Sequence, residues 1–196
     1  MNPSPVYQYQ LSNHGCFPAA MLNTLIRLFR PHEIPAPVVR AIYRHSLDAR
    51  NAAGTTDEAT QRVVDEINLI VAARRGTKRF RCTARRLVGH QVTVASNGLI
   101  ARTLRAGGSA VVDVRCHDST HAMTLLDITR EHWVFFEPSL LTRHPRKRQG
   151  IEWLGYPGCV HGPNLRIERR YLDARRNEFY TLGPLADREA VIVMPR

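Results

Sequence analysis

Cys16 heads the segment Cys16 to Arg30 (CFPAAMLNTLIRLFR), whose apolar residues fall near helical spacing and whose Pro18 sits in the first turn, where its missing N–H costs nothing. A cysteine that opens a helix meets the positive end of the helix dipole and a set of unpaired backbone N–H groups. Both favour the thiolate, the form in which cysteine attacks a carbonyl. Asn13-His14-Gly15 makes a polar, tight turn before it and Phe17-Pro18-Ala19-Ala20 begins a close-packed helix behind it, which exposes the thiol at the lip of a cleft. The plainer account of a cysteine ahead of an apolar helix is a small buried hydrophobe. Gln10, six residues upstream, is spaced to donate its side-chain amide to an oxyanion beside the Cys16 backbone N–H, with Gln8 as a nearby competitor.

The elements that must position these groups can be read from periodicity. After the Cys16 helix is broken by Pro31 and Pro35, PVVRAIYRHSLD restarts at Pro37 with Val38, Ile42 and Tyr43 on one face. Gly54-Thr55-Thr56 makes a turn before a longer helix, DEATQRVVDEINLIVAARR, with an apolar stripe of Val63, Ile67, Ile70 and Val71 and with Asp57 and Glu58 near its positive end. Phe80 to Val94 reads as a weak strand region, and Asn97 to Ala106 as a short helix stopped by Gly107-Gly108. The pattern then changes to SAVVDVRC, HAMTLLDIT and HWVFFEP, three β-branched and aromatic runs expected as consecutive antiparallel strands. Residues 140–163, rich in Pro, Gly and basic side chains, predict a surface excursion, and EAVIVM near the end predicts a last buried strand. Helices first and strands second predict one α+β domain over residues 1–196.

Gln10, Gly15, Cys16, Pro18, Ala19 and Ala20 together resemble the first motif of the C39-like branch of papain-like cysteine peptidases, a Gln six positions upstream of a Cys-x-Pro-Ala-Ala helix start. The second half of the resemblance lies about 100 residues on. Gly107-Gly108 leads into Ala110-Val111-Val112-Asp113-Val114, then His121 opens a strand, then Trp133-Val134-Phe135-Phe136 ends in Glu137-Pro138. The resemblance covers roughly Gln10 to Pro138. It implies a papain-like fold, with N-terminal helices packed on an antiparallel sheet. His121 then takes the thiol proton, Glu137 receives a hydrogen bond from the other ring nitrogen, and Gln10 completes an oxyanion hole. Two positions depart from the branch: His14-Gly15-Cys16-Phe17 replaces the common Asp-Cys-Gly, and Glu137 stands where Asp or Asn is usual. Asp113, Asp118 and Asp127 are the competing partners for His121.

The implied activity is that of a cysteine peptidase or amide hydrolase acting on a peptide or protein through an acyl-enzyme, with no cofactor and no metal. The same machinery serves a transglutaminase-like acyltransferase or a deamidase, and a catalytically silent basic binding module is the non-enzymatic alternative. Zinc is the competing chemistry, from Cys116-His117, Cys159, His161, His121 and Cys82, but no C-x-x-C pair provides the compact spacing that structural zinc uses. Cys82 and Cys116 read as packing residues, Cys159 as an exposed thiol.

Lys and Arg number 28 against 17 Asp and Glu, a net charge of +11. That field suits an acidic protein substrate. The runner-up partner is nucleic acid, bound weakly and without sequence preference, because the runs Arg74–Arg79, Arg85-Arg86, Arg143–Arg148 and Arg169–Arg176 are dispersed and no nucleic-acid module accompanies them. No run of about 18 apolar residues and no apolar leader occurs, so a cytoplasmic location with reduced cysteines is expected. Oligomeric state is not legible.

Overall fold

The computed structural model describes residues 5–12, 14–46, 55–73, 79–116, 119–139, 148–155 and 158–196. Helix α1 (Cys16–Leu28) buries every residue from Phe17 to Ile26, which explains its density of Ala, Leu and Met: nearly all of its circumference faces protein. Helix α2 (Ala36–Ser46) starts one residue before the expected Pro37 and buries Val38, Ala41 and Ile42. Tyr43, expected on the same face, is 36% exposed because it lies at the edge of that narrow stripe. Helix α3 (Asp57–Ala72) is capped by Thr56, whose side chain accepts from the Ala59 N–H, and it buries Val63, Val64, Ile67 and Ile70.

Seven strands follow: β1 (Cys82–Val88), β2 (Ser109–Cys116), β3 (Ser119–Ile128), β4 (His132–Phe136), β5 (Ile151–Trp153), β6 (Leu165–Glu168) and β7 (Glu189–Pro195). Helix α4 (Leu99–Arg105) precedes β2 and the single turn α5 (Arg169–Leu172) follows β6. The strands form one sheet in the order β1-β7-β2-β3-β4-β6-β5, each neighbour antiparallel. The protein is therefore α+β, and the three central runs read from sequence are consecutive antiparallel strands. The final strand, β7, inserts between β1 and β2. The stretch expected as a surface excursion contributes the edge strand β5, with residues 140–147 and 156–157 outside the described set.

Alternation along the strands divides the core in two. Ala84, Val111, Ala122, Leu126, Phe136, Val191 and Val193 face α1, α2 and α3. Leu87, Val112, Val114, Met123, Leu125, Trp133 and Phe135 face the opposite way, toward α4, α5 and the segment around Tyr180 and Leu182. A buried hydrogen bond from Thr124 Oγ1 to the Ala20 carbonyl, 2.9 Å, ties the start of α1 to β3. Among the described residues, no helix is long and apolar enough to cross a membrane.

Candidate active site

Cys16 is the first residue of α1, half-buried, on a helix end that no side chain caps. The turn before it closes through the Gly15 N–H to the Ser12 carbonyl, 3.0 Å. A Cβ on Gly15 would sit 3.3 Å from Ser12 O and Oγ and 3.5 Å from Gln10 Cβ. Glycine there lets the Gln10 segment close against the turn that precedes Cys16. Asn13 lies outside the described residues.

Gln10 is fixed through its backbone neighbours. Its N–H donates to Pro138 O at 2.8 Å, and the Tyr7 N–H donates to Val160 O at 2.7 Å. Asn23 of α1, fully buried, clamps Gln8 from both sides: its Oδ1 accepts from the Gln8 N–H at 2.7 Å and its Nδ2 donates to the Gln8 carbonyl at 2.8 Å. The Tyr7 and Tyr9 rings lie 5.1 and 5.2 Å from that of Phe136. Gln8 is thus bound by its backbone with its side chain exposed, whereas Gln10 is half-buried beside Gly15 with its Oε1 turned inward and unpaired.

Strands β3 and β4 bring the other two residues together. They run antiparallel with Thr124 opposite Phe136, so the residues just past Phe136 come alongside His121. His121 Nε2 and Glu137 Oε1 are 2.6 Å apart, with His121 8% and Glu137 0% exposed. The Cys16 side chain lies close enough to His121 to help raise its imidazole. With Nε2 engaged by Glu137, Nδ1 is the ring nitrogen left for the thiol. Cys16, His121 and Glu137 thus form one chain of contacts.

Glu137 is held by groups beyond the imidazole. Its Oε1 also accepts from the Ser139 N–H at 2.7 Å, and its Oε2 accepts from Tyr180 Oη at 2.7 Å. Its backbone is clamped by the buried Asn164, whose Oδ1 accepts from the Glu137 N–H at 2.7 Å and whose Nδ2 donates to the Glu137 carbonyl at 2.9 Å. Ser139 Oγ is 3.2 Å from His121 Nε2. Tyr180 reaches the carboxylate from a left-handed backbone, φ 63°. That conformation costs a residue with a side chain about 1–2 kcal/mol, and strain of this kind concentrates where surrounding structure over-determines a functional group.

Burial opposes charge on both members of the pair. For His121 it is outweighed by the Glu137 charge, by the bond to Glu137 and by the nearby Cys16, so the imidazole is held well above its ordinary range. For Glu137 it is outweighed by the His121 charge and by the bonds from His121, Ser139 and Tyr180, so the carboxyl lies below its ordinary value. The surroundings favour charge on both members of the His121–Glu137 pair, and Cys16 acts on the same ring.

Neither Asp113 nor Asp127 takes the place of Glu137 on the His121 ring among the described residues. Asp113, on β2, is pushed up to about 7 by burial and by neighbouring Glu189, partly offset by the charge of His121, and among the described residues makes no hydrogen bond to it. Asp127 is exposed at the other end of β3, where its Oδ1 accepts from the Ile128 N–H. Asp118 and His117 lie outside the described residues, as do residues 74–78 and 143–147 of the basic runs. Cys82 is buried, and burial pushes its thiol up to about 11. Cys116, read as packing, is only half-buried at the end of β2, near enough to feel the charges of His121, Glu137 and Cys16, while burial pushes its thiol up. Cys159, read as exposed, is half-buried with Sγ 3.7 Å from the carbonyls of Gly162 and Pro163. Tyr180, Asn164, Ser139 and Asn23 do not stand out in the sequence; the one local signal is Asn164 directly after Gly162-Pro163. No protein-family model matches the sequence, and no curated protein matches it.

Proposed function

We propose that this protein is a cysteine-nucleophile amide hydrolase of the papain-like class, most similar in its motifs to the C39-like branch, acting on a peptide or protein. The observation that carries this reading is His121 standing between the Cys16 thiol and a fully buried Glu137, 2.6 Å from the carboxylate. A nucleophile-bearing helix packed on an antiparallel sheet supports the papain-like assignment.

In this reading Cys16 reacts as the thiolate of a thiolate–imidazolium pair, its proton already on His121, and the thiolate adds to the amide carbonyl carbon. The negative charge then forms on the carbonyl oxygen, which the uncapped N–H groups at the start of α1 and the Gln10 side-chain amide stabilise. His121 gives its proton to the leaving amine as the C–N bond breaks and the acyl-enzyme forms. It next takes a proton from water, whose attack on the thioester releases the acid and regenerates the thiol. Glu137 holds the ring orientation and stabilises the imidazolium.

The test is labelling with a peptidyl electrophile followed by mass mapping. Wild type is expected to be modified at Cys16, with Cys116 and Cys159 unmodified over the same time. Cys16→Ala abolishes labelling and turnover with the fold unchanged, and His121→Ala slows labelling strongly. Equal labelling of all accessible thiols, unaffected by His121→Ala, would sink the reading.

A further inference from the structure

The sheet end remote from Cys16 carries a second feature that the hydrolase reading leaves unused. Four arginines from four separate elements line one groove of about 400 Å³: Arg27 in the last turn of α1, Arg105 in the last turn of α4, Arg130 in the β3–β4 turn, and Arg169 at the start of α5. Only Arg169 belongs to a basic run of the sequence; the convergence is made by the fold. Arg27 lies about 16 Å down α1 from Cys16 at 1.5 Å per residue, so this groove is separate from the nucleophile.

Two of these guanidiniums are held in place by backbone carbonyls. Arg169 donates to the carbonyls of Val94 and of Arg130, and Arg105 to those of Ala101 and Ser96. Arg27 lies near the Tyr7 hydroxyl. Carbonyls orient a guanidinium without cancelling its charge. Among the described residues, none of the four has a carboxylate within ion-pair distance, although Arg86, Arg166, Arg170, Arg176 and Arg188 elsewhere each have one. The one acid in the groove, Asp127, has its Oδ1 engaged by the Ile128 N–H. Four like charges in one recess repel each other, and their rigid forks present donors from several sides.

We propose that this groove binds a compact phosphoanion, with a diphosphate group as the best match. A carboxylate has two acceptor oxygens and cannot engage four guanidiniums. A terminal phosphate carries about −1.5 to −2 charge and three acceptor oxygens, and the inner phosphate of a diphosphate adds a further charge. The sum balances the four arginines less Asp127. The neighbouring cavity argues for a compact ligand over a polymer. It shares Arg130 and Arg169 and adds Arg170 and His132, but Arg170 is paired with Glu168 and the lining also holds Glu131 and Asp173, so a nucleic-acid strand continuing past Arg169 would meet no further unpaired arginine there among the described residues.

The test is calorimetric titration of the intact protein with pyrophosphate, against sodium chloride of matched ionic strength. Saturable one-to-one binding is expected, absent with chloride and retained in Cys16→Ala, so the site stands or falls independently of the hydrolase reading. Arg105→Gln should weaken binding at least tenfold. Because that change also removes two carbonyl contacts, Arg130→Gln is the second variant: its side chain makes no hydrogen bond among the described residues, and it should weaken binding several-fold with an unchanged melting temperature. Arg85→Gln, at an exposed position of edge strand β1, should change nothing. Binding that is absent, matched by chloride, or insensitive to both groove variants overturns the proposal. So does a single-stranded oligonucleotide that displaces pyrophosphate and depends on the same two arginines, since that assigns the groove to a polymer.

Discussion

Tyr180 and Glu137 are 43 residues apart in the chain, and the Tyr180 hydroxyl donates to Glu137 Oε2 across 2.7 Å. With the Ser139 N–H and His121 on Oε1, both carboxylate oxygens are engaged. The Glu137 side chain is braced at its tip by a residue from far downstream.

Tyr180→Phe removes one hydrogen bond to a charged group, worth about 1.5–3 kcal/mol. That bond helps hold the Glu137 carboxyl below its ordinary value, so the variant's carboxyl should protonate at higher pH. The acidic limb of the activity profile is expected to move upward, with KM little changed. A profile that only scales down at every pH would point to a packing role alone.

Glu137→Gln keeps shape and hydrogen-bonding capacity while removing the charge that stabilises the imidazolium. We expect a fall in turnover on the order of tenfold, the equivalent of one pKa unit or about 1.4 kcal/mol. His121→Ala removes the proton carrier and should cost roughly 10²–10⁴. Rates for Glu137→Gln and Glu137→Ala both equal to wild type would exclude Glu137 from the site.

Stability should carry the signature of the His121–Glu137 pair. His121 is raised above its ordinary 6.5, so its contribution is full below that value and disappears as pH climbs through the higher folded value. Glu137 is lowered from 4.5, so its contribution is present above 4.5 and disappears as pH falls through the lower folded value. The melting-temperature gap between wild type and His121→Gln/Glu137→Gln should be widest between the two ordinary values and narrow on either side. A gap independent of pH would contradict a charged pair.

Asn23→Ala would free both backbone groups of Gln8 that the side chain now satisfies, at a cost of about 1–3 kcal/mol for each group left buried and unpaired. Because that clamp sits two residues before Gln10, turnover should fall further than the rate of Cys16 alkylation by a simple electrophile, which forms no oxyanion. Equal losses in the two assays would place Asn23 in folding alone.

The sequence disclosed the parts whose order is periodic. Alternation fixed β2, β3 and β4 as neighbours, and helical spacing located α1 with Cys16 at its first position. Pattern reading failed where the fold departs from chain order. Asn164 and Tyr180 act from irregular segments, where a side chain's direction follows from tertiary packing and leaves no repeat to detect. EAVIVM was legible as a strand but not as the partner of both β1 and β2, because nothing local encodes which gap a strand fills. Cys116 looked like a core residue because its strand does, yet it lies where β2 runs out beside His121.

The place of β7 bears on how the molecule comes into being. Strand β1 is joined to the sheet through β7 alone, so β1 cannot be incorporated until residues 189–195 have been made. Until then β1 and one side of β2 are open edges, the state most prone to pairing with other chains. Closing a sheet over so long a sequence separation is also intrinsically slow. Because Tyr180 is delivered by the same late segment, the brace on Glu137 arrives only with that final closure, and a partly synthesised chain would hold Cys16 and His121 without a finished site.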